Sequence, residues 1–264
     1  MYKLLPILLL LSTPALSEET AGSLNIDTGR VTVSGISAGG QMAHQLHISY
    51  SDMFSGAGMI ASGPFGCADG SLATAMARCM GKTDNPIPLA ELAESINTAA
   101  EQGLVADTKN LADDPVWLFH GTLDTTVAAQ VNDAAQALYA EFIPAEQITY
   151  VNDVAAIHNF PASGQGSECT AMEPPFVGNC DYDAAGEILN HMYSDLEKPV
   201  SEPETTLQTV TLPGATEAGL SDTAYLFVPP ACAGAQSCAL PLVVHGCAQS
   251  AVTVGTDFMQ QSGY

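Results

Sequence analysis

Positive charge is scarce in this chain. Of 264 residues only 6 are Lys or Arg, against 29 Asp or Glu, and the formal net charge is -23. Nucleic acids are held through Lys and Arg on phosphates, so that class of partner is excluded, together with anionic membranes and polyanionic substrates. The acidic excess reads as a solvated surface suited to salt water and says nothing about catalysis. Long apolar runs are also missing beyond the first residues, and a membrane span needs about 20 of them. Neither Cys-x-x-Cys nor His-x-x-x-His occurs, so no zinc site, and no other metal or cofactor, is expected. The chain has no internal repeat.

The apolar run that does exist is N-terminal. Lys3 supplies a short positive region, Leu4 to Leu11 an apolar core, and Ala15-Leu16-Ser17 a small-x-small cleavage signal. Residues 1–17 are therefore expected to be a signal peptide, with a mature chain from Glu18 that is secreted or periplasmic. No cysteine near the cleavage point supports a lipid anchor. Apolar residues make up 47% of the chain, ample for one core, and residues 18–264 are read as a single domain. Seven cysteines in an exported chain point to disulfides. Cys67 with Cys79, Cys169 with Cys180, and Cys232 with Cys238 each lie close enough to close a short loop, although sequence alone does not fix the connectivity. Cys247 is left over.

Patterns of strand and helix alternate. Val31-Thr32-Val33 reads as a short strand, followed by a helix with Met42, Leu46 and Tyr50 at helical spacing. Gly58 to Ala61 is the next buried strand, and Leu89 to Gln102 a helix stopped at Gly103. Pro115 to Phe119 is a continuous apolar run of the kind buried on both faces of a sheet. A helix carrying Val127, Val131, Ala134, Ala135 and Leu138 follows, then a strand from Gln147 to Val151. Residues 161–184 read as an irregular, disulfide-tied excursion, and Ala184 to Leu196 as a helix. Residues 197–206 look like an exposed acidic linker. Strand patterns return at Gln208 to Leu212, Ala224 to Val228 and Leu240 to Val244, before a helix from Val252 to Gln261. This alternation indicates an α/β fold with a mainly parallel sheet.

Gly35-Ile36-Ser37-Ala38-Gly39 is the pattern of a nucleophile elbow, a tight strand-to-helix turn that exposes a serine hydroxyl. The motif is short, and its weight comes from the strand before it and the helix after it. A serine hydroxyl needs an adjacent base, itself oriented by an acid. Asp124 fits as the acid because it lies in a turn just past a buried strand; Asp133, inside a helix pattern, and Asp153 fit less well. The base must follow, leaving His158, His191 and His245. His158 lies in a loop after a strand, whereas His191 falls within a helix and His245 ends a strand.

An oxyanion site needs two N–H donors. Ala38, next to the nucleophile, supplies one. The other ordinarily comes from a His-Gly loop on a strand that precedes the elbow. No such strand fits before Ser37, yet Leu240 to Val244 runs into His245-Gly246-Cys247. The strands absent from the front are expected at the back, in a circularly permuted domain.

With these elements the chain resembles the extracellular poly(3-hydroxybutyrate) depolymerases with a circularly permuted α/β-hydrolase catalytic domain. The stretches that carry the resemblance are GISAGGQMA, HGTLDTTV, IHNFP, GNCDYDAAGEIL and YLFVPPAC with LPLVVHGCAQS. The resemblance implies Ser37 as nucleophile, Asp124 as orienting acid and His158 as base, with the N–H groups of Ala38 and Cys247 as oxyanion donors. Its implied substrate is a hydrophobic polyester or its oligomers, with no protein partner. A serine often follows the nucleophile in that family; Ala38 stands here, and only its N–H is used. Family members continue with a further strand and a tryptophan-containing segment, so the chain ending at Tyr264 is expected to be C-terminally truncated. Cys247 then either pairs with a cysteine in the absent part or stays a free buried thiol. Two other functions remain open at this stage: a feruloyl or acetyl-xylan type esterase, and an inactive truncated product.

Overall fold

The computed structural model describes residues 24–81, 86–196, 207–232, 234 and 236–255. The expected signal peptide, the expected 197–206 linker and residues 256–261 of the last predicted helix lie outside the described residues. Ten strands and six α-helices occur among them. The strands are β1 (Ile26–Ile36), β2 (Ala57–Ile60), β3 (Val116–Phe119), β4 (Ile148–Val151), β5 (Phe160–Ala162), β6 (Ser167–Glu168), β7 (Val177–Asn179), β8 (Leu207–Thr211), β9 (Thr223–Phe227) and β10 (Cys238–Val244). The helices are α1 (Ala38–Ser49), α2 (Leu72–Thr74), α3 (Leu89–Glu101), α4 (Ala129–Tyr139), α5 (Ala184–Met192) and α6 (Ala251–Val254).

Five strands form a parallel sheet in the order β10-β1-β2-β3-β4. Successive side chains of a strand face opposite sides, and the central strands obey this closely. Ala57, Met59, Val116 and Leu118 face a core with Ala43, Ile96, Ala135 and Leu138 from α1, α3 and α4. Ile60, Trp117 and Phe119 face a second core with Ala184 and Ile188 of α5. Both faces are thus covered, which is why β2 and β3 read as unbroken apolar runs rather than alternating ones.

The last strand joins beside the first. Residues Val31 to Gly35 of β1 pair in register with Leu240 to Val244 of β10. A strand late in the chain thus occupies the sheet position before the elbow, as a permuted order requires. Of the three strands expected at the back only β10 enters this sheet; β8 and β9 pair as a separate antiparallel hairpin.

Three expectations need correction. Residues 161–184 are not wholly irregular: β5, β7 and β6 form a small parallel sheet, in that order. The α5 helix ends at Met192 rather than Leu196. Of the three apolar residues spaced along α1 only Leu46 packs against the core; Met42 is 41% exposed and Tyr50, just past the helix end, 52%. Gly39, Gly40, Ala43, His44, His47 and Ile48 point inward instead. Close approach to the sheet selects small side chains, and the two histidines find partners inside. His44 stacks on Tyr139, centroids 4.0 Å apart. The His47 ring lies 3.0 Å from the Tyr139 hydroxyl through Nδ1 and 3.1 Å from Asp114 Oδ2 through Nε2.

His44 has no hydrogen-bond partner at either ring nitrogen. Burial, reinforced by the neighbouring His47, lowers its pKa to about 3, against a weak opposing pull from the Gly63 backbone. The unfolded chain therefore takes up a proton that the native state refuses as pH falls from 6.5 towards 3. Over that window His44 removes about 1.4 kcal/mol of stability per pH unit. The variant His44→Phe keeps an aromatic ring against Tyr139 and cannot titrate. Urea unfolding at pH 7.5, 5.5 and 4.5 is expected to show a shallower acid loss in the variant. Equal slopes would remove His44 from the acid response.

Candidate active site

The C-terminal ends of four strands lie level, because Ile36 pairs with Ile60, Ile60 with Phe119 and Phe119 with Val151. The segments leaving this edge carry the residues singled out by sequence. Ser37 leaves β1, His120 and Asp124 leave β3, and His158 lies between β4 and β5.

Ser37 adopts φ 58° and ψ -122°, a combination L residues rarely occupy. Its backbone is clamped on both sides: Ser37 N–H donates to Ile60 O at 2.9 Å, and Gln41 N–H donates to Ser37 O at 3.0 Å. Serine at a helix N-cap ordinarily turns its hydroxyl back onto the first-turn N–H groups. Here that bond is absent, so the Oγ is not consumed by capping.

The glycines of the elbow are there for contact. A Cβ at Gly35 would lie 2.5 Å from Gly39 C and 2.6 Å from Val244 O. One at Gly39 would collide with Val244 O and come within 2.6 Å of His245 O. The N-terminus of α1 is therefore packed directly on the end of β10. Beyond β10, Gly246 N–H donates to the buried Gln249 Oε1 at 2.9 Å. A Cβ at Gly246 would sit 3.1 Å from Ile36 O. The elbow and the His245-Gly246-Cys247 loop thus lie against each other.

Asp124 and His158 meet directly. His158 Nδ1 lies 2.8 Å from Asp124 Oδ2, and both residues are over nine-tenths buried. The other carboxylate oxygen, Oδ1, accepts from the N–H groups of Thr126 at 2.8 Å and Val127 at 3.1 Å. Burial alone pushes the Asp124 carboxyl up. The hydrogen bond and charge of His158, with the Val127 and Thr126 N–H groups, outweigh it and hold the carboxyl below its usual range. Asp124 is thus kept ionised while it fixes which ring nitrogen of His158 faces it, leaving Nε2 for other work.

The competing candidates are elsewhere. Asp133 lies on α4 and accepts from the Tyr150 hydroxyl at 2.9 Å. Asp153 is exposed. His191 Nε2 faces Gln147 O at 3.2 Å, and His245 Nδ1 faces Gly246 O at 2.8 Å. Three disulfides join Cys67 to Cys79, Cys169 to Cys180 and Cys232 to Cys238. Cys247 is a free thiol and exposed, not buried. No group of three His, Cys, Asp or Glu side chains among the described residues is arranged to hold a metal ion. Gln249 escaped the sequence reading; its one signal was a polar residue three positions past the Gly246 whose N–H it holds.

A parallel sheet with a serine elbow after one strand, and a carboxylate–histidine pair on loops after two others, is the arrangement of the α/β-hydrolase fold, here with its strand order permuted. The chain belongs to the poly(3-hydroxybutyrate) depolymerase family. It is 38% identical over 248 residues to a poly(3-hydroxybutyrate) depolymerase of Delftia acidovorans, covering 92% of this chain and 50% of that protein. It is 32% identical over 249 residues to a polyhydroxybutyrate depolymerase of Talaromyces funiculosus, covering 92% of this chain and 72% of the relative. The chain thus spans only half the length of the first of these. The crystal structure of PHB depolymerase from Penicillium funiculosum superposes with a TM-score of 0.81 at 31% identity, over 91% of this chain and 76% of that one. A second solved structure, with the same score, is a serine-to-alanine PHB depolymerase complexed with an R3HB trimer. No family model matches the chain.

Proposed function

We propose that this protein is a secreted serine esterase that hydrolyses poly(3-hydroxybutyrate)-type polyesters through an acyl-enzyme. The observation that carries the reading is an uncapped Ser37 hydroxyl on a strained elbow, at the same sheet edge as the hydrogen-bonded Asp124–His158 pair. The activity for which the relatives are named and the bound R3HB trimer of one PHB depolymerase support the choice of polyester. Three disulfides accord with an oxidising, extracellular setting.

In this mechanism His158 Nε2 takes the Ser37 proton as Oγ attacks the ester carbonyl. The tetrahedral oxyanion is held by the N–H groups of Ala38 and Cys247. Ala38 begins α1, where N–H groups have no partner inside the helix and the helix dipole favours negative charge. Asp124, ionised and buried, stabilises the imidazolium formed on His158. Collapse expels the hydroxyl end of the severed chain, protonated by His158, and leaves a 3-hydroxyacyl ester on Ser37. Water, deprotonated by His158, attacks that ester and releases the acid. Leu123 and Met172 are exposed apolar side chains on this side of the molecule, with Met172 touching the Thr126 hydroxyl beside Asp124. Such side chains suit an apolar polymer.

Two measurements test the reading. The purified protein is expected to release 3-hydroxybutyrate from soluble oligomers and from polymer film, and to leave a feruloyl model ester untouched. Preferential release of ferulate would transfer it to a different esterase class. A serine-reactive phosphonate is expected to add to Ser37 alone, read by peptide mass spectrometry. Folded protein that forms no adduct would end the enzyme reading.

A further inference from the structure

We propose that His120 is a positioning residue for this reaction, acting through Asp124; the inference rests on the catalytic reading above. His120 follows the last residue of β3, and its backbone N–H extends the β3–β4 pairing by donating to Val151 O at 2.9 Å. Its Cα is thus part of the rigid sheet. Its ring is 5% exposed and reaches across the following turn to Val127 O, 2.9 Å from Nε2. A carbonyl can only accept, so Nε2 carries the hydrogen.

Val127 is the residue whose own N–H donates to Asp124 Oδ1. A continuous relay therefore runs from the sheet to the base: the His120 ring holds Val127, Val127 holds one carboxylate oxygen, and the other oxygen holds His158. The remainder of the turn is fixed by other means. Asp124 N–H donates to Gly121 O, Thr122 N–H to Val154 O and Leu123 N–H to Ala156 O. The first of these closes the turn on itself, and the other two tie its first half to the loop that carries His158. At the end of the turn the Val127–Ala128 peptide is held on the sheet side by the His120 ring at Val127 O, and on its other side by Ala128 N–H donating to Met80 O at 2.9 Å. Val127 is 1% exposed, so without the ring its carbonyl has no water to turn to. A buried acceptor that loses its donor drives rearrangement, and the carbonyl that must shift belongs to Val127, the residue whose N–H makes the Asp124 contact.

Displacement of an orienting carboxylate by about 1 Å is enough to cost on the order of 100-fold in rate. His120→Ala is expected to lower kcat by about 10- to 100-fold with KM little changed. A side chain with a terminal N–H donor at similar reach, His120→Gln, is expected to restore most of the rate, while the shorter His120→Asn does not. The deciding readout is coupling. If His120 acts through Asp124, its removal costs almost nothing once Asp124→Asn is present, because effects of residues acting as one unit do not multiply. Multiplicative losses in the double variant, or an Asn variant as active as the Gln one, would overturn the proposal. The Gln and Asn pair keeps it testable if the Ala variant fails to fold. An Asp124→Asn variant at the parent rate would instead overturn the catalytic reading itself, a separate result.

Discussion

Ser37→Ala is expected to lower kcat for ester hydrolysis by roughly 10^5- to 10^6-fold, the scale seen when an acyl-transfer nucleophile is removed. The N–H groups proposed as oxyanion donors and the buried Asp124–His158 pair remain in the variant, so a small residual rate above water is expected. Thermal unfolding should be nearly unchanged, because the Ser37 hydroxyl makes no capping bond that alanine would forfeit. Ser37→Gly is the informative companion. Holding an L residue at φ 58° and ψ -122° costs about 1–3 kcal/mol, and glycine escapes most of that cost. The glycine variant should be equally inactive yet unfold at higher urea than the parent. The strain is maintained by the two backbone bonds to Ile60 O and Gln41 N, which make the elbow a fixed mount for the hydroxyl. A Ser37→Ala enzyme retaining more than about a hundredth of the parent rate would remove Ser37 from the chemistry.

Much of this arrangement is legible along the chain, for identifiable reasons. β3 is recognisable because Val116 to Phe119 is buried on both sides and so carries no polar alternation. The place of β10 follows from chemistry: an oxyanion loop needs a His-Gly at a strand end, and with His120-Gly121 leading into the Asp124 turn, Leu240 to Gly246 offers the other one. Gly103, with φ 68°, ends α3 within a residue of its predicted stop. The buried face of α1 was illegible because hydropathy treats Gly, Ala and His as weak core signals. His44 and His47 are inside on account of Tyr139 and Asp114, residues separated from them by most of two βα units. The small β5-β7-β6 sheet left no periodicity, since two or three residues are too few to alternate. The link between Asp124 and His158 was expected from their order and loop positions. The N–H donors at Thr126 and Val127 that hold Asp124 were not, because a turn's geometry is invisible before the chain is folded.

Gly39→Ala is expected to be the most damaging single methyl group in the molecule. The added Cβ would collide with Val244 O and crowd His245 O, and both obstacles are backbone, at the end of a paired strand and just past it. Flexible side chains relieve overpacking by turning away, at a typical cost of 1–3 kcal/mol. A β10 main chain locked in register with β1 through Gly35 and Val244 has no such freedom. Either the first turn of α1 lifts from the sheet or β10 leaves β1, and a stability loss above about 3 kcal/mol is expected. Gly40→Ala provides the graded comparison: its Cβ would meet Ser62 Cβ at 2.7 Å and Gly35 O at 3.0 Å, longer approaches than that from Gly39 to Val244 O, and its loss should be smaller. Gly234, with nothing within 4 Å, should accept alanine without effect. Activity should fall further than stability in the folded fraction of Gly39→Ala, because the two N–H groups assigned to the oxyanion lie on either side of the forced gap. Ala38 begins α1 and Cys247 follows β10. Urea unfolding combined with kcat per folded molecule separates the two losses. A variant within about 1 kcal/mol of the parent and at its full rate would mean that α1 and β10 do not form one catalytic unit. The expected result would instead make the permuted strand a working wall of the active site.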